Sequence, residues 1–198
     1  MSALLPVKQW DDVLPAYRNT PVADLLAYQN LRSAHRNHDR AELLIGMCMD
    51  HRMMLRIPDN FAYILRAGGA NLQRIEFKVS YAVAVGGVRT ICLVGHDGCG
   101  MVDLSERRDL FVSGLVENGG WDRREAEKHF DQFSAVFEIG EPAEFVLREA
   151  RRLRKRYPKV MVAPLLYHIR EGLLYQIAEG TNVMKDNEDA AAAAQGNI

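Results

Sequence analysis

The chain has 198 residues, 48% of them hydrophobic, and a formal net charge of −1. That length suits one domain with a sizeable core, and the near-zero charge excludes a global pull toward nucleic acid or anionic membrane. Three cysteines make no disulfide framework, no apolar run approaches the ~20 residues of a spanning helix, and residues 1–6 lack the basic and apolar parts of a signal peptide, so reduced thiols and a cytoplasmic location are expected.

Residues 1–20 carry Pro6 and Pro15 and read as an arm outside the core. Thr20 before Pro21 suits an N-cap and first helical position, and Val22, Leu25, Leu26 and Leu31 supply an apolar stripe. The polar segment 32–40 holds His35 and His38, which read as solvated because no other ligand type is near in sequence. Residues 43–48 are the expected first strand. Pro58-Asp59-Asn60 is turn chemistry, and 61–65 reads as a second strand ending at Arg66-Ala67-Gly68-Gly69. Leu72, Ile75, Val79, Ala82 and Val83 recur at helical spacing until Gly86-Gly87 stops the helix. A third strand, 88–95, runs into His96. Strand, helix and strand at this spacing make a βαβ unit and imply a parallel sheet.

The middle of the chain is helical. Leu110, Phe111, Leu115 and Val116 precede Gly119-Gly120, and Asp122 caps a helix carrying Ala126, Phe130, Phe133 and Phe137, whose rings read as core or subunit contact. Glu141-Pro142 opens a further helix that ends before Pro158. Its basic run at 151–156 lacks the interleaved aromatics of a nucleic-acid surface and reads as a solvated face. A fourth strand begins at Val160, and after a turn at Arg170-Glu171-Gly172 a return strand covers 173–177. Residues 185–198, acidic and then alanine-rich, read as a disordered tail.

Two buried-looking runs stop at residues able to bind a metal. Residues 43–47 end in Cys48-Met49-Asp50-His51-Arg52, and 91–94 end in Gly95-His96-Asp97-Gly98-Cys99-Gly100. Thiolate and imidazole suit a borderline-soft ion such as zinc, and three protein ligands leave an open position. Cys48, His96 and Cys99 are therefore the candidate metal ligands, one Zn2+ per chain. His-x-x-Cys alone is a weak signal. Its position at the end of a buried run, matched by a Cys at the end of another with Asp-x-Arg beside it, is what favours a site. Asp50, two residues after Cys48, faces the same way in extended chain, and Arg52 keeps it ionised. Away from a metal, that pair would read as a surface ion pair of little weight. Cys92, mid-run, reads as a core residue.

Cys-x-Asp-x-Arg on one strand and His-x-x-Cys on another resemble the β-class carbonic anhydrases. The good match covers about residues 43–102. Arg66-Ala67-Gly68-Gly69, Val85-Gly86-Gly87-Val88 and the closing hairpin Tyr167-His168-Ile169-Arg170-Glu171-Gly172 add looser support. The chain departs from the family pattern at His51, where a small residue is usual, at Asp97-Gly98 within His-x-x-Cys, and at His168, where Asp is common. The resemblance implies a mainly parallel α/β sheet of four to five strands flanked by helices, with an N-terminal helical arm (1–42), a zinc-binding domain (43–184) and the tail. It implies reversible hydration of carbon dioxide to bicarbonate by zinc-bound hydroxide, with Asp50 and Arg52 catalytic, in a homodimer or multiple of dimers. Alternatives are a carbonyl sulfide or carbon disulfide hydrolase, or a catalytically silent zinc-binding homologue. His51 reads as an exposed bystander, with a proton shuttle as the other option. No nucleic-acid or membrane partner is implied.

Overall fold

All the expected strands enter one sheet. The computed structural model describes residues 3–178, so the expected tail at 185–198 lies outside the described residues. The strands are β1 (Ala3–Pro6), β2 (Leu43–Met47), β3 (Ala62–Arg66), β4 (Thr90–His96), β5 (Met161–His168) and β6 (Leu173–Ala178), in the spatial order β1-β6-β5-β4-β2-β3. β3, β2, β4 and β5 run parallel, whereas β6 and β1 are antiparallel additions. Helices α1 (Pro21–Asn30), α2 (Glu76–Ala84), α3 (Arg108–Gly119), α4 (Arg123–Phe137) and α5 (Pro142–Arg156) flank it. No helix among the described residues is long and apolar enough to cross a membrane.

The central strands are continuous apolar runs because both sheet faces are covered. Every residue of β2 and β4 is buried. Gly46 belongs in β2 because a Cβ there would lie 2.6 Å from Leu72 Cδ1. The helix ends follow the capping chemistry of the sequence. Thr20 Oγ1 accepts from Val22 N, Asp122 accepts from the amides of Arg124 and Glu125, and the Glu141 carboxylate accepts from Glu144 N, each satisfying an amide the helix leaves unpaired.

Three expectations need correction. The sheet has six strands, because residues 3–6 pair with β6 instead of lying in a free arm, and Val7, Val13 and Tyr17 enter the core. His38 is buried, not solvated: its Nδ1 lies 2.7 Å from Glu42 Oε1 and its Nε2 lies 3.2 Å from the Tyr28 hydroxyl. The basic run on α5 is solvent-exposed at Arg151, Lys155 and Arg156 as expected, but not throughout. Arg154 is buried and donates to Val162 O, while Arg152 and Arg156 both pair with Glu76.

Candidate metal centre

The sheet itself makes the crevice. The chain leaves β2 for β3 on one side and leaves β4 for β5 on the other, so the carboxyl ends of β2 and β4 meet at a topological switch point, where open α/β sheets bind ligands. Met47 pairs with Val94. Cys48 therefore follows β2 beside the end of β4, whose last residue is His96. Cys99 folds back on the next turn, where Gly98 takes φ 61°.

The ligand atoms of Cys48, His96 and Cys99 all lie within 4.8 Å of one another, and all three residues are buried. Two sulfurs sharing a tetrahedral zinc at ~2.3 Å would stand about 3.8 Å apart. Cys48 Sγ and Cys99 Sγ are 3.9 Å apart. His96 Nδ1 donates to Asp97 O at 2.8 Å, which leaves Nε2 with its lone pair bare. That nitrogen is buried without a hydrogen-bond partner, a costly state in a folded protein. An orphaned acceptor beside two sulfurs at that spacing fits a soft divalent ion.

Electrostatics point the same way. The hydrogen bond between the two sulfurs lowers Cys48 against the opposing effect of burial, and the same contact raises Cys99, so the pair favours one shared negative charge. The Gly69 amide donates to Cys48 Sγ at 3.3 Å and favours the thiolate there. Cys92, fully buried with no such partner, is pushed up to about 12 by burial and stays outside the cluster.

Asp50 and Arg52 stand at the rim. Arg52 Nε and Nη2 donate to Asp50 Oδ1 and Oδ2 at 2.9 and 2.6 Å, and this guanidinium holds the Asp50 carboxyl well below the usual carboxylate range. Asp50 Oδ2 lies 3.8 Å from His96 Nε2. The His51 side chain is 95% exposed. Asp97 is not one of the clustered ligands; its Oδ1 accepts from Ile169 N at 2.7 Å. Among the described residues, neither His35 nor His38 belongs to a group able to hold a metal.

Sequence reasoning gave no role to three supports. Arg66, at the end of β3, donates to the carbonyls of Cys48 and Asp50 through Nη1 and to that of Met53 through Nη2, fixing the loop that carries Asp50 and Arg52. Gly69 takes φ 63°, and a Cβ there would sit 2.9 Å from Ile139 Cδ1; only glycine offers its amide to Cys48 in this position. Gln29 of α1 accepts from Arg56 N and donates to Gly172 O. The segment 66–69 was visible as a weak resemblance, whereas Gln29 carries no sequence signal.

The fold resembles that of the β-class carbonic anhydrases. A carbonic anhydrase from Glaciozyma antarctica is 21% identical over 84% of this chain and 100% of its own, with a TM-score of 0.58. A beta-carbonic anhydrase, isoform I, from Trichomonas vaginalis is 20% identical over 80% of this chain and 95% of its own, with a TM-score of 0.59. The apo form of a carbon disulfide hydrolase is 18% identical over 87% of this chain and 95% of its own, with a TM-score of 0.51. At these identities the likeness is one of fold. No protein-family model and no curated protein sequence matches the chain.

Proposed function

We propose that the chain is a zinc enzyme that hydrates carbon dioxide reversibly to bicarbonate. The observation that carries this reading is the bare, buried Nε2 of His96 facing two sulfurs, with Asp50 Oδ2 3.8 Å away. Cys48, His96 and Cys99 would hold one Zn2+. When bound, that ion supplies the Lewis acidity that makes water nucleophilic near neutral pH. Asp50, kept ionised by Arg52, accepts a proton-side hydrogen bond from the reacting water and orients it. Arg52 keeps Asp50 facing inward, and Nη2 also donates to Gly98 O at 3.0 Å, joining the two ligand-bearing loops. Two ligand thiols require reduction, which suits a cytoplasmic location.

A second reading has its own support. Beside the site lies an apolar groove of about 470 Å³, lined among others by Met49, Gly68, Met101, Phe130, Phe133 and Phe137. Such a groove suits carbonyl sulfide or carbon disulfide as well as carbon dioxide. Homodimer formation is part of the proposal. The stripe of α1 is spent on its own core, whereas edge strand β3 exposes Tyr63 and Ile64, α2 exposes Phe77 and Tyr81, and Val85 just after α2 is exposed as well. Zinc per chain by elemental analysis, CO2 hydration by stopped flow and sulfide release from both sulfur gases test the set. One zinc with hydration above the uncatalysed rate supports the first reading, and sulfide release alone replaces it with the second. Bound zinc with neither activity leaves a silent zinc-binding protein.

A further inference from the structure

The loop between His96 and Cys99 is clasped from outside by the hairpin that joins β5 to β6. Asp97 Oδ1 accepts the Ile169 amide at 2.7 Å, Asp97 Oδ2 lies 3.7 Å from His168 Nε2, and Asp97 N donates to Tyr167 O at 3.4 Å. The carbonyl of the same residue is the acceptor for His96 Nδ1. The hairpin also reaches the other ligand-bearing loop, because the Tyr167 hydroxyl donates to Met54 O at 3.3 Å. The two positions where the sequence departs from the family pattern in these segments, Asp97 and His168, thus face each other.

We infer that Asp97 is a positioning residue for the metal centre: its carboxylate, held by the Ile169 amide, fixes the carbonyl that sets the tautomer and ring orientation of His96. The physical chain is short. A carbonyl one residue after the imidazole keeps its aim only if the backbone at Asp97 cannot rotate. The side-chain bond to Ile169 and the main-chain bond to Tyr167 both oppose that rotation. A fixed Nδ1–H donor leaves Nε2 as the acceptor, and partners of this kind tune metal affinity. The inference rests on the zinc reading above, and it predicts that hairpin and metal are coupled in both directions.

The test is zinc affinity, by competition with a chromophoric chelator, together with the visible spectrum of the cobalt-loaded protein. Asp97→Ala is expected to weaken zinc binding by about 10–100-fold and to shift the cobalt d–d bands. Asp97→Asn, which keeps an oxygen for the Ile169 amide, is expected to restore both. An Asp97→Ala protein with wild-type affinity and spectrum overturns the inference while leaving the zinc reading intact. A wild-type protein that takes up neither ion removes the zinc reading, and this one with it. Should Asp97→Ala not fold, hydrogen exchange of the Ile169 amide in the unaltered protein decides. Zinc is expected to slow that exchange, and an unchanged rate overturns the inference.

Discussion

Arg52 meets Asp50 fork to fork, with Nε and Nη2 donating to the two carboxylate oxygens at 2.9 and 2.6 Å, and the Arg52 amide adds a third bond to Asp50 Oδ1 at 2.9 Å. A planar guanidinium satisfies that geometry and an ammonium does not. Arg52→Lys and Arg52→Ala are therefore both expected to retain one zinc per chain while kcat/KM for CO2 hydration falls by about 10–100-fold. Turnover unchanged in Arg52→Ala would remove the pair from the mechanism.

The three candidate ligands separate cleanly from the third cysteine. Cys48→Ser, His96→Ala and Cys99→Ser are each expected to abolish stoichiometric zinc, measured by elemental analysis after dialysis. Cys92→Ala is expected to keep it, since Cys92 lies in the middle of β4 outside the ligand cluster. Full occupancy in the first three variants would refute the ligand assignment.

Much of this was legible in the letters, for physical reasons that differ by residue. Residues 43–48 and 88–95 read as buried strands because both faces of a parallel sheet need apolar side chains, and Cys48 and His96 became candidate ligands because ligands gather where such strands end. Residues 3–6 did not announce β1, because a four-residue edge strand ending in Pro6 has no pattern apart from its partner β6. His38 looked solvated because its burial depends on Tyr28 and Glu42, which the fold brings to it. Arg66 acts through main-chain carbonyls, and a carbonyl is common to every residue type.

Arg66 ties down the loop 48–53 from the neighbouring strand. Its bonds join a charged donor to partly buried carbonyls, a class of contact worth about 2 kcal/mol. Arg66→Met is expected to lower the melting temperature by roughly 4–8 °C in a chain of this size. It is also expected to raise amide exchange across Asp50 and Arg52. A wild-type melt with a wild-type exchange pattern would mean the loop holds itself.

The ion-pair network behind the sheet sets an acid limit. Arg152, first through its hydrogen bond and then through its charge, lowers the pKa of Glu76 from its ordinary 4.5, and Arg156 adds to this. A folded pKa below the unfolded one gives stability that is fully present above pH 4.5 and is lost as pH falls through the folded value. Glu76→Gln is therefore expected to be less stable than wild type at pH 7, with the difference closing below pH 4.5. Urea unfolding at pH 7 and pH 3.5 measures it, and a constant difference across that range would assign the effect to packing instead of charge.

Gly69 combines two demands that a side chain breaks separately. Its φ of 63° disfavours any Cβ, and that Cβ would also meet Ile139 Cδ1 and Cγ2, both at 2.9 Å. Gly69→Ala is expected to cost about 1–3 kcal/mol and to weaken zinc binding by disturbing the amide that reaches Cys48 Sγ. Repeating the substitution in an Ile139→Ala background removes the collision and leaves the backbone strain. The cost of Gly69→Ala should then shrink without vanishing, a coupling that a double-mutant cycle reads directly. An identical cost in both backgrounds would show that the collision contributes nothing and that the left-handed backbone alone requires glycine here.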